Sequence, residues 1–173
     1  MLELEKTYLL QNIPQWFSDC PYKDLLDIYI PVESDHAHLR IRKHGESMVI
    51  MKKELVNPDD LSSQHESIIQ LTPDEFAALS QVPGKRIHKH RYYMAYRWVT
   101  LEIDVFQESL LGLILVDVEF PDEASKHDFL IPDFCLCEVT QDATFAWGLL
   151  CGKDYGDIEK KLTSLWYRKL YIE

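Results

Sequence analysis

Apolar and charged residues alternate along this chain, and the alternation limits its fold more than any other feature does. Within 99–106, Leu101 and Ile103 fall on one face of an extended strand, whereas Glu102 and Asp104 fall on the other, because successive side chains of a strand point to opposite sides. Few helical segments interrupt such patterns, which favours an antiparallel sheet or barrel over βαβ units. Strands are predicted at 2–9, 26–32, 37–44, 47–53, 64–70, 86–94, 96–106 and 113–120.

Charged residues of one sign recur two positions apart on these strands. The pairs are Glu3 with Glu5, Arg40 with Arg42, Lys89 with Arg91, Glu102 with Asp104, and Asp117 with Glu119. A strand rise of ~3.3 Å per residue holds each pair about 7 Å apart. A single strand of this kind fits an ordinary sheet with one wet face. Acidic and basic strands together favour a barrel around a hydrated lumen, with carboxylates on one wall and Lys and Arg on another.

Helical segments are few. Thr72, followed by Pro73 and two acids, predicts a short helix that ends near Ser80, because these residues suit a helix N-terminus. Further helices are predicted at 122–129, 142–151 and 155–171. No linker or repeat divides the chain, so we expect one domain, 1–173, with 154–173 as a C-terminal helical extension. The extension is expected to pack against or plug the barrel, with a homodimer contact as the alternative.

Composition restricts partners and compartment. With 46% hydrophobic residues in a chain of 173, a core can form without disulfides, and four cysteines are too few for a disulfide scaffold. The net charge of −11 disfavours nucleic acid and anionic lipid as partners. No apolar run approaches the ~18 residues of a membrane span, and the first residues do not read as a signal peptide. We therefore expect a cytoplasmic protein with neither a membrane nor a nucleic-acid partner.

The two kinds of charged wall suit a metal-chelated polyphosphate. Mg²⁺ and Mn²⁺ take oxygen ligands and are commonly shared between carboxylates and substrate phosphates. Arg offers bidentate contacts to phosphate oxygens, and Lys supplies a compact charge. Together these groups would neutralise charge that develops on a transferring phosphoryl group.

Seven short motifs, in order along the chain, carry a resemblance to a known family. They are ELE at 3–5, LRIR at 39–42, IMK at 50–52, KHRY at 89–92, LEIDVF at 101–106, VDVEF at 116–120 and EVT at 138–140. In these motifs the chain resembles the CYTH superfamily, the triphosphate tunnel metalloenzymes, and it is most similar to their short bacterial inorganic tripolyphosphatases. The resemblance extends to about Asp154.

The resemblance implies a mainly β fold, an eight-stranded antiparallel closed barrel with peripheral helices. Its acidic wall would bind Mg²⁺ or Mn²⁺, and its basic wall would hold a linear triphosphate. Carried over by position, the metal ligands would be Glu3, Glu5, Asp104, Asp117 and Glu119. The phosphate ligands would be Arg40, Arg42, Lys52, Lys89 and Arg91. The resemblance further implies that Lys89 and Tyr29 activate the attacking water.

The chain departs from the family pattern at three places. Thr7 stands where the family signature has a lysine, and Lys6 cannot replace it because a shift of one residue points its side chain out of the barrel. The fifth strand keeps at most one acid, Glu66, which is expected to face away from the lumen, and His65 is expected to take the position of a lumen glutamate. Asp117 replaces the usual glutamate and is one methylene shorter.

The leading hypothesis is a Mg²⁺- or Mn²⁺-dependent triphosphatase. Two alternatives stay open: a binding protein for polyphosphate or nucleotide that has lost turnover, and an adenylate cyclase of the class IV kind. Cys135 and Cys137 resemble half a zinc site without a second pair, which favours an inert role. His88 and His90 lie on the strand face opposite Lys89 and Arg91, which favours surface or packing roles.

Overall fold

The computed structural model describes residues 1–172, apart from the side chains of residues 18 and 19. Within this part of the chain, nine strands and four α-helices form. The strands are β1 (Leu2–Leu10), β2 (Tyr22–Ile30), β3 (Leu39–His44), β4 (Ser47–Asn57), β5 (Asp60–Gln70), β6 (Lys85–Tyr96), β7 (Val99–Phe106), β8 (Ile114–Phe120) and β9 (Cys135–Glu138). The helices are α1 (Pro73–Leu79), α2 (Glu123–Asp128), α3 (Trp147–Leu150) and α4 (Tyr155–Ser164).

Strand β1 closes the sheet into a barrel. The strands follow the order β5-β4-β3-β2-β6-β7-β8-β1, and the first half of β1 pairs back onto β5. Every pairing around the ring is antiparallel. Strand β9 pairs with the last three residues of β1, beyond the end of β5. The predicted closed eight-stranded barrel is thus confirmed, and β9 is an additional strand that the alternation did not predict.

The register of the strands turns the charged rows inward. Glu5 lies opposite Glu119 across β1 and β8, and Arg91 lies opposite Asp104 across β6 and β7. Asp104 has no exposed surface, and both Glu5 and Arg91 are buried. The charged interior predicted from alternation is therefore present.

The apolar rows of β1, β7 and β8 face outward, where other parts of the chain cover them. Leu101, Ile103 and Val118 have no exposed surface. They belong to one cluster with Phe17, from a 3₁₀ turn at Gln15–Asp19, and with Phe129, the residue that follows α2. Because burying one such side chain stabilises a protein by about 1.5–3 kcal/mol, this outer layer contributes strongly to barrel stability.

An apolar plug fills one end of the barrel. Leu9 and Leu115 continue the inward faces of β1 and β8 beyond their charged residues, and they pack in one cluster with Ile158 and Leu162 of α4. The capping box of Asp154 and Asp157 fixes the start of α4, because each side chain binds a free backbone N–H of the other's turn. The C-terminal segment therefore packs against the barrel, as predicted.

Helix α4 is shorter than predicted. It ends at Ser164, because Trp166 adopts a left-handed backbone with φ of 64°. The Tyr167 N–H then donates to the Leu162 carbonyl at 3.0 Å, and its hydroxyl donates to the Gly112 carbonyl at 2.9 Å. The rest of the predicted helix, 167–171, is not helical, and the last residue of the predicted C-terminal extension, Glu173, lies outside the described residues.

The predicted helix at 142–151 is also interrupted. A 3₁₀ turn at Ala143–Phe145 is followed by α3, and Ala146 between them has an extended ψ of 129°. This break lets Phe145 and Leu150 enter the apolar plug while Trp147 turns toward the lumen. No helix in the described part of the chain is long and apolar enough to cross a membrane.

Candidate active site

Carboxylates from two neighbouring strands form an acidic wall. Glu3 and Glu5 of β1 and Asp117 and Glu119 of β8 all line a lumen cavity of about 170 Å³. Glu5 and Glu119 are direct cross-strand partners, and such partners have Cβ atoms about 4.5–5.5 Å apart. Like charges so close repel each other, so this wall needs protons or cations to be stable.

The electrostatics of the wall agree with that geometry. Burial, reinforced by the charges of Glu5 and Asp104, raises the pKa of Asp117 well above its ordinary value. Partial burial and the neighbouring charge of Glu102 raise the pKa of Glu119 to about 7. Burial is the larger cause of both shifts, and the neighbouring carboxylates add to it.

Lys53 of β4 is the cation that the acidic wall holds. Its Nζ lies 2.6 Å from Glu3 Oε2 and 3.5 Å from Glu5 Oε2. Burial alone would lower the pKa of Lys53, but the charges of Glu5 and Glu3 outweigh it and the pKa rises. Lys53 is therefore firmly protonated inside the lumen.

The predicted phosphate ligand on β4, Lys52, lies outside the barrel. Its Nζ pairs with Glu54 Oε1 at 2.8 Å, and both side chains are about half exposed. Met51 lies opposite the inward Arg40, so the next inward position is Lys53. The sequence alone does not show which lysine faces the lumen, because Lys52 and Lys53 are adjacent and point to opposite faces of the strand. The register of β3 with β4 decides between them.

Strand β5 contributes to the lumen in the opposite phase from the one expected. The Glu66 side chain lies 4.0 Å from Lys53 Nζ, and Gln64 Nε2 donates to Glu5 Oε1 at 2.9 Å. His65 is exposed on the outer face, and its cross-strand neighbour is Glu54. The expectations that His65 enters the lumen and that Glu66 faces away were wrong, because a shift of one residue reverses every side chain of a strand.

Two arginines of β3 form a basic wall, and a buried aspartate of β2 orients it. Arg42 donates from Nε and Nη2 to the two carboxylate oxygens of Asp27 at 2.6 and 2.8 Å. Arg40 donates to the Tyr29 hydroxyl at 2.7 Å and lies 4.0 Å from Asp27 Oδ2. Burial would raise the pKa of Asp27, but the charges of Arg42 and Arg40 dominate and hold it well below its ordinary value.

Sequence reasoning missed Asp27. The signal was present, since Asp27 lies two residues before Tyr29 and so shares its inward face. A lone acid between apolar neighbours, however, does not reveal that it pairs with arginines on the next strand.

Arg91 and Lys89 of β6 share one carboxylate, Asp104 of β7. Arg91 donates from Nε and Nη2 to Asp104 Oδ1 and Oδ2 at 2.8 and 2.6 Å, and its Nη1 also donates to Glu102. Lys89 Nζ donates to Asp104 Oδ2 at 3.1 Å. Both oxygens of Asp104, a predicted metal ligand, are thus taken by cations, and Glu102 lines the lumen cavity instead.

Trp147 of α3 covers the ammonium group of Lys89. The Lys89 Nζ lies 2.8 Å from the centroid of the Trp147 ring, and that ring stacks on Phe106 with centroids 5.7 Å apart. Burial lowers the pKa of Lys89 to about 7, while Asp104 and Arg91 act on it in opposite directions. Lys89 is therefore a weaker base than an exposed lysine.

Tyr29 and Lys89, the predicted pair for water activation, do not contact each other by hydrogen bond in the described part of the chain. Lys89 lies opposite Leu25 on β2, four residues from Tyr29, which is about 13 Å along a strand. The Tyr29 hydroxyl contacts Arg40 instead.

Thr7 occupies the inward position of the signature lysine. Its hydroxyl donates to Asp117 Oδ1 at 2.7 Å, so it supplies a hydrogen bond but no charge. Lys6 points outward and pairs with Glu138 at 3.6 Å, as expected.

Comparisons with known proteins agree with this arrangement. No family model matches the sequence. An inorganic triphosphatase of Nitrosomonas europaea is 32% identical over 148 residues, which are 84% of this chain and 93% of the relative. A crystal structure of an inorganic triphosphatase has a TM-score of 0.61 at 25% identity, covering 86% of this chain and 93% of that one. A proposed adenylate cyclase of Bacillus halodurans shares the fold at 13% identity, with a TM-score of 0.54 and coverage of 99% and 93%.

A closed eight-stranded barrel with opposed acidic and basic walls in its lumen defines the triphosphate tunnel class, as the motifs predicted. The sequence identity to the Nitrosomonas europaea protein, and the share of both chains that it covers, assign the chain to one family within this class. It belongs to the inorganic triphosphatase family.

The acidic wall fits the divalent metal that this class implies. Its donors are carboxylate oxygens, which Mg²⁺ and Mn²⁺ prefer, and a divalent cation would offset the repulsion between the cross-strand neighbours Glu5 and Glu119. The residues that line the cavity and could hold such a cation are Glu3, Glu5, Asp117 and Glu119.

Proposed function

We propose that this chain is a cytoplasmic Mg²⁺- or Mn²⁺-dependent hydrolase that cleaves the terminal phosphoanhydride of inorganic tripolyphosphate or a related small triphosphate. The observation that carries the proposal is a single lumen cavity that is lined both by Glu5 and Asp117 and by Arg40 and Arg42. Membership of the inorganic triphosphatase family supports the same reaction class.

The basic groups that reach the cavity would hold the phosphates. Arg40, Arg42, Lys53 and Arg91 line it, and guanidinium groups bind phosphate oxygens in pairs. A divalent cation on the acidic wall would neutralise charge on the phosphate oxygens and orient the chain of phosphates.

Some lysine and arginine side chains in the lumen are already paired with carboxylates, and this pairing determines which of them can bind the substrate. Lys53 is paired with Glu3 and Glu5, and Arg91 with Glu102 and Asp104. Once Glu3 and Glu5 have another positive partner, Lys53 Nζ is free to turn to a phosphate oxygen. Lys53 would thus exchange a carboxylate partner for a phosphate oxygen within the same cavity. The phosphates would then be held in line for attack by water.

Lys89 is the candidate general base. A base works best when its pKa is near the operating pH, and the pKa of Lys89 is lowered to about 7. Its Nζ would accept a proton from the attacking water after the covering ring of Trp147 shifts. Tyr29, which contacts Arg40 rather than Lys89, would act as a positioning residue for that guanidinium group.

A second candidate function is binding without turnover. Two observations favour it: Thr7 supplies no charge at the signature position, and Trp147 shields Lys89 from the cavity. In this case the same lumen would sequester a polyphosphate or a nucleotide.

Phosphate release from tripolyphosphate, ATP and thiamine triphosphate, each with Mg²⁺ or Mn²⁺, separates these functions. If the protein is a hydrolase, it should release phosphate from tripolyphosphate only when the metal is present. Asp117→Asn should abolish this release, and the outer-face control Glu54→Gln should leave it intact. Calorimetric binding without release would favour the binding protein. Formation of cyclic AMP from ATP would favour an adenylate cyclase. If the protein neither bound these triphosphates nor formed a product from them, all three functions considered for the lumen would be contradicted.

A further inference from the structure

The outer face of β6 carries a cluster of side chains that the lumen chemistry does not use. His88 and His90 alternate with Lys89 and Arg91, so the histidines point outward where the cations point inward. Asp24 of β2 lies directly opposite His90. The barrel wall therefore separates this cluster from the triphosphate site.

The three side chains converge on one point. His88 Nε2 lies 2.6 Å and His90 Nε2 lies 3.6 Å from Asp24 Oδ1, and all three ligand atoms lie within 4.8 Å of one another. Bond lengths of about 2.0–2.1 Å to zinc place the ligand atoms of a tetrahedral site roughly 3.3 Å apart. The distance from His90 to Asp24 is close to that spacing, whereas the 2.6 Å between His88 and Asp24 is shorter, so Asp24 would have to move away from His88 to admit an ion.

A fourth side chain orients His88 from behind. Glu108 Oε1 lies 3.4 Å from His88 Nδ1, and the neighbouring Gln107 N–H donates to the His88 carbonyl at 3.0 Å. His88 Nε2–H donates to Asp24 Oδ1 at 2.6 Å. A metal ion would displace this proton, and Glu108 beside Nδ1 would then hold the remaining ring proton, as carboxylates do around metal-binding histidines.

Glu108 holds this position with a backbone φ of 55°. A non-glycine residue in that region is uncommon and costs free energy, so its surroundings must maintain it. The turn after β7 is thus fixed against β6 at the histidine.

Ring contacts fix His90 as well. Its imidazole stacks on Tyr22 with centroids 4.4 Å apart and an interplanar angle of 26°, and it meets His88 edge to face. Both imidazoles are about one quarter exposed, whereas Asp24 is largely exposed. The nitrogen ligands are therefore held in place, while the fourth coordination position stays open to solvent.

We propose that Asp24, His88 and His90 form a surface site for a divalent transition-metal ion of the zinc class, with Glu108 as the group that orients His88. Two imidazole nitrogens and one carboxylate oxygen suit Zn²⁺ and its analogue Co²⁺ better than Mg²⁺. The ion would join β2 and β6.

Zn²⁺ titration calorimetry on the full chain, with excess Mg²⁺ to saturate the lumen carboxylates, tests this site. We expect one equivalent of Zn²⁺ to bind the wild type. His90→Gln should abolish this binding, and Glu108→Gln should weaken it about 10-fold to 100-fold. His127→Gln is the matched control, because His127 contacts a single carboxylate, Asp128, at 2.9 Å; it should bind Zn²⁺ as the wild type does.

The lumen variant Asp117→Asn locates the ion. Zn²⁺ binding that persists in Asp117→Asn and is lost in His90→Gln supports the surface site. Binding that is lost in Asp117→Asn, that is unchanged in His90→Gln, or that is absent from the wild type would overturn it. If His90→Gln fails to fold, anomalous scattering from Zn²⁺-soaked wild-type crystals decides: a peak between Asp24 and the two histidines supports the site, and its absence contradicts it.

Discussion

The Thr7 hydroxyl donates a 2.7 Å hydrogen bond to Asp117 Oδ1, across the register of β1 and β8. A neutral donor therefore occupies the position at which the family signature has an ammonium group. The acidic wall draws its only bound lysine among the described residues, Lys53, from β4 instead. Burial, together with the charges of Glu5 and Asp104, raises the pKa of Asp117 well above its ordinary value.

Replacing Thr7 by lysine should strengthen the site. The Thr7→Lys variant places a charge beside Asp117 and the phosphates, and a charge-assisted hydrogen bond is worth about 1.5–3 kcal/mol. We expect kcat/KM for tripolyphosphate to rise about 10-fold, since ~1.4 kcal/mol corresponds to a factor of ten. Thr7→Ser keeps the hydroxyl and should match the wild type. An unchanged or lower kcat/KM in Thr7→Lys would show that the missing ammonium does not limit the reaction.

The two adjacent lysines of β4 should differ sharply. Lys53→Met removes a cation from the lumen and should weaken tripolyphosphate binding by at least about 10-fold, from the loss of one charged hydrogen bond. Lys52→Met removes an exposed pair with Glu54 and should leave binding within about twofold, since such pairs contribute little. Calorimetry measures both. The reverse ranking would mean that β4 is registered one residue away from the structure.

Lys89 should set the pH dependence of turnover. Its pKa is lowered to about 7, and a general base acts when it is deprotonated, so kcat should rise with pH through a midpoint near 7. Lys89→Arg stays protonated and should lose about 10²-fold to 10⁴-fold in kcat while it retains tripolyphosphate affinity. A pH–rate profile with no limb near 7, or an active Lys89→Arg variant, would exclude this role.

Trp147 should tune that midpoint. Burial is the largest cause of the lowered pKa of Lys89, and the indole ring covers the ammonium group at a centroid distance of 2.8 Å. Trp147→Leu admits water and should therefore move the pH midpoint upward, toward the ordinary lysine value of 10.5. Trp147→Phe keeps an aromatic cover and should shift it less. Identical midpoints in all three proteins would contradict the shielding role.

Asp27 should matter for stability as well as for the site. Asp27→Asn leaves Arg40 and Arg42 without their buried partner and should lower the free energy of unfolding by about 3–5 kcal/mol near neutral pH. Because the folded pKa of Asp27 lies below its ordinary value of 3.8, its contribution is complete above that value and is lost as pH falls toward the folded pKa. Urea unfolding should show a wild-type advantage that narrows below about pH 4, and a constant difference would contradict the ion pair.

The alternation of side chains favoured a barrel with charged inner faces because it is a property of each strand by itself, and the family resemblance supplied the closed eight-stranded form. Glu3, Glu5, Asp117 and Glu119 share faces with their partners two residues away, and the structure places all four in the lumen cavity. The apolar rows opposite them become the covered outer layer. Local pattern and global fold agree in these strands, so the prediction required no knowledge of pairing.

The pairing of neighbouring strands determines which of two adjacent residues faces the lumen, and this could not be predicted from the sequence. Lys52 or Lys53, and His65 or Glu66, differ by one position, and the choice depends on the register of β4 with β3 and of β5 with β4. Trp147 reaches Lys89 from a helix near the other end of the chain. Such contacts between distant segments are set by tertiary packing, which alternation along a strand does not encode.

A crystal structure with tripolyphosphate and Mn²⁺ bound tests the central claim most directly. We predict anomalous density for Mn²⁺ beside Glu5 and Asp117, phosphates in contact with Arg40 and Arg42, and the Lys53 ammonium turned from Glu3 to a phosphate oxygen. Tripolyphosphate bound outside the barrel, or a lumen without Mn²⁺ in which Lys53 still pairs with Glu3, would contradict it.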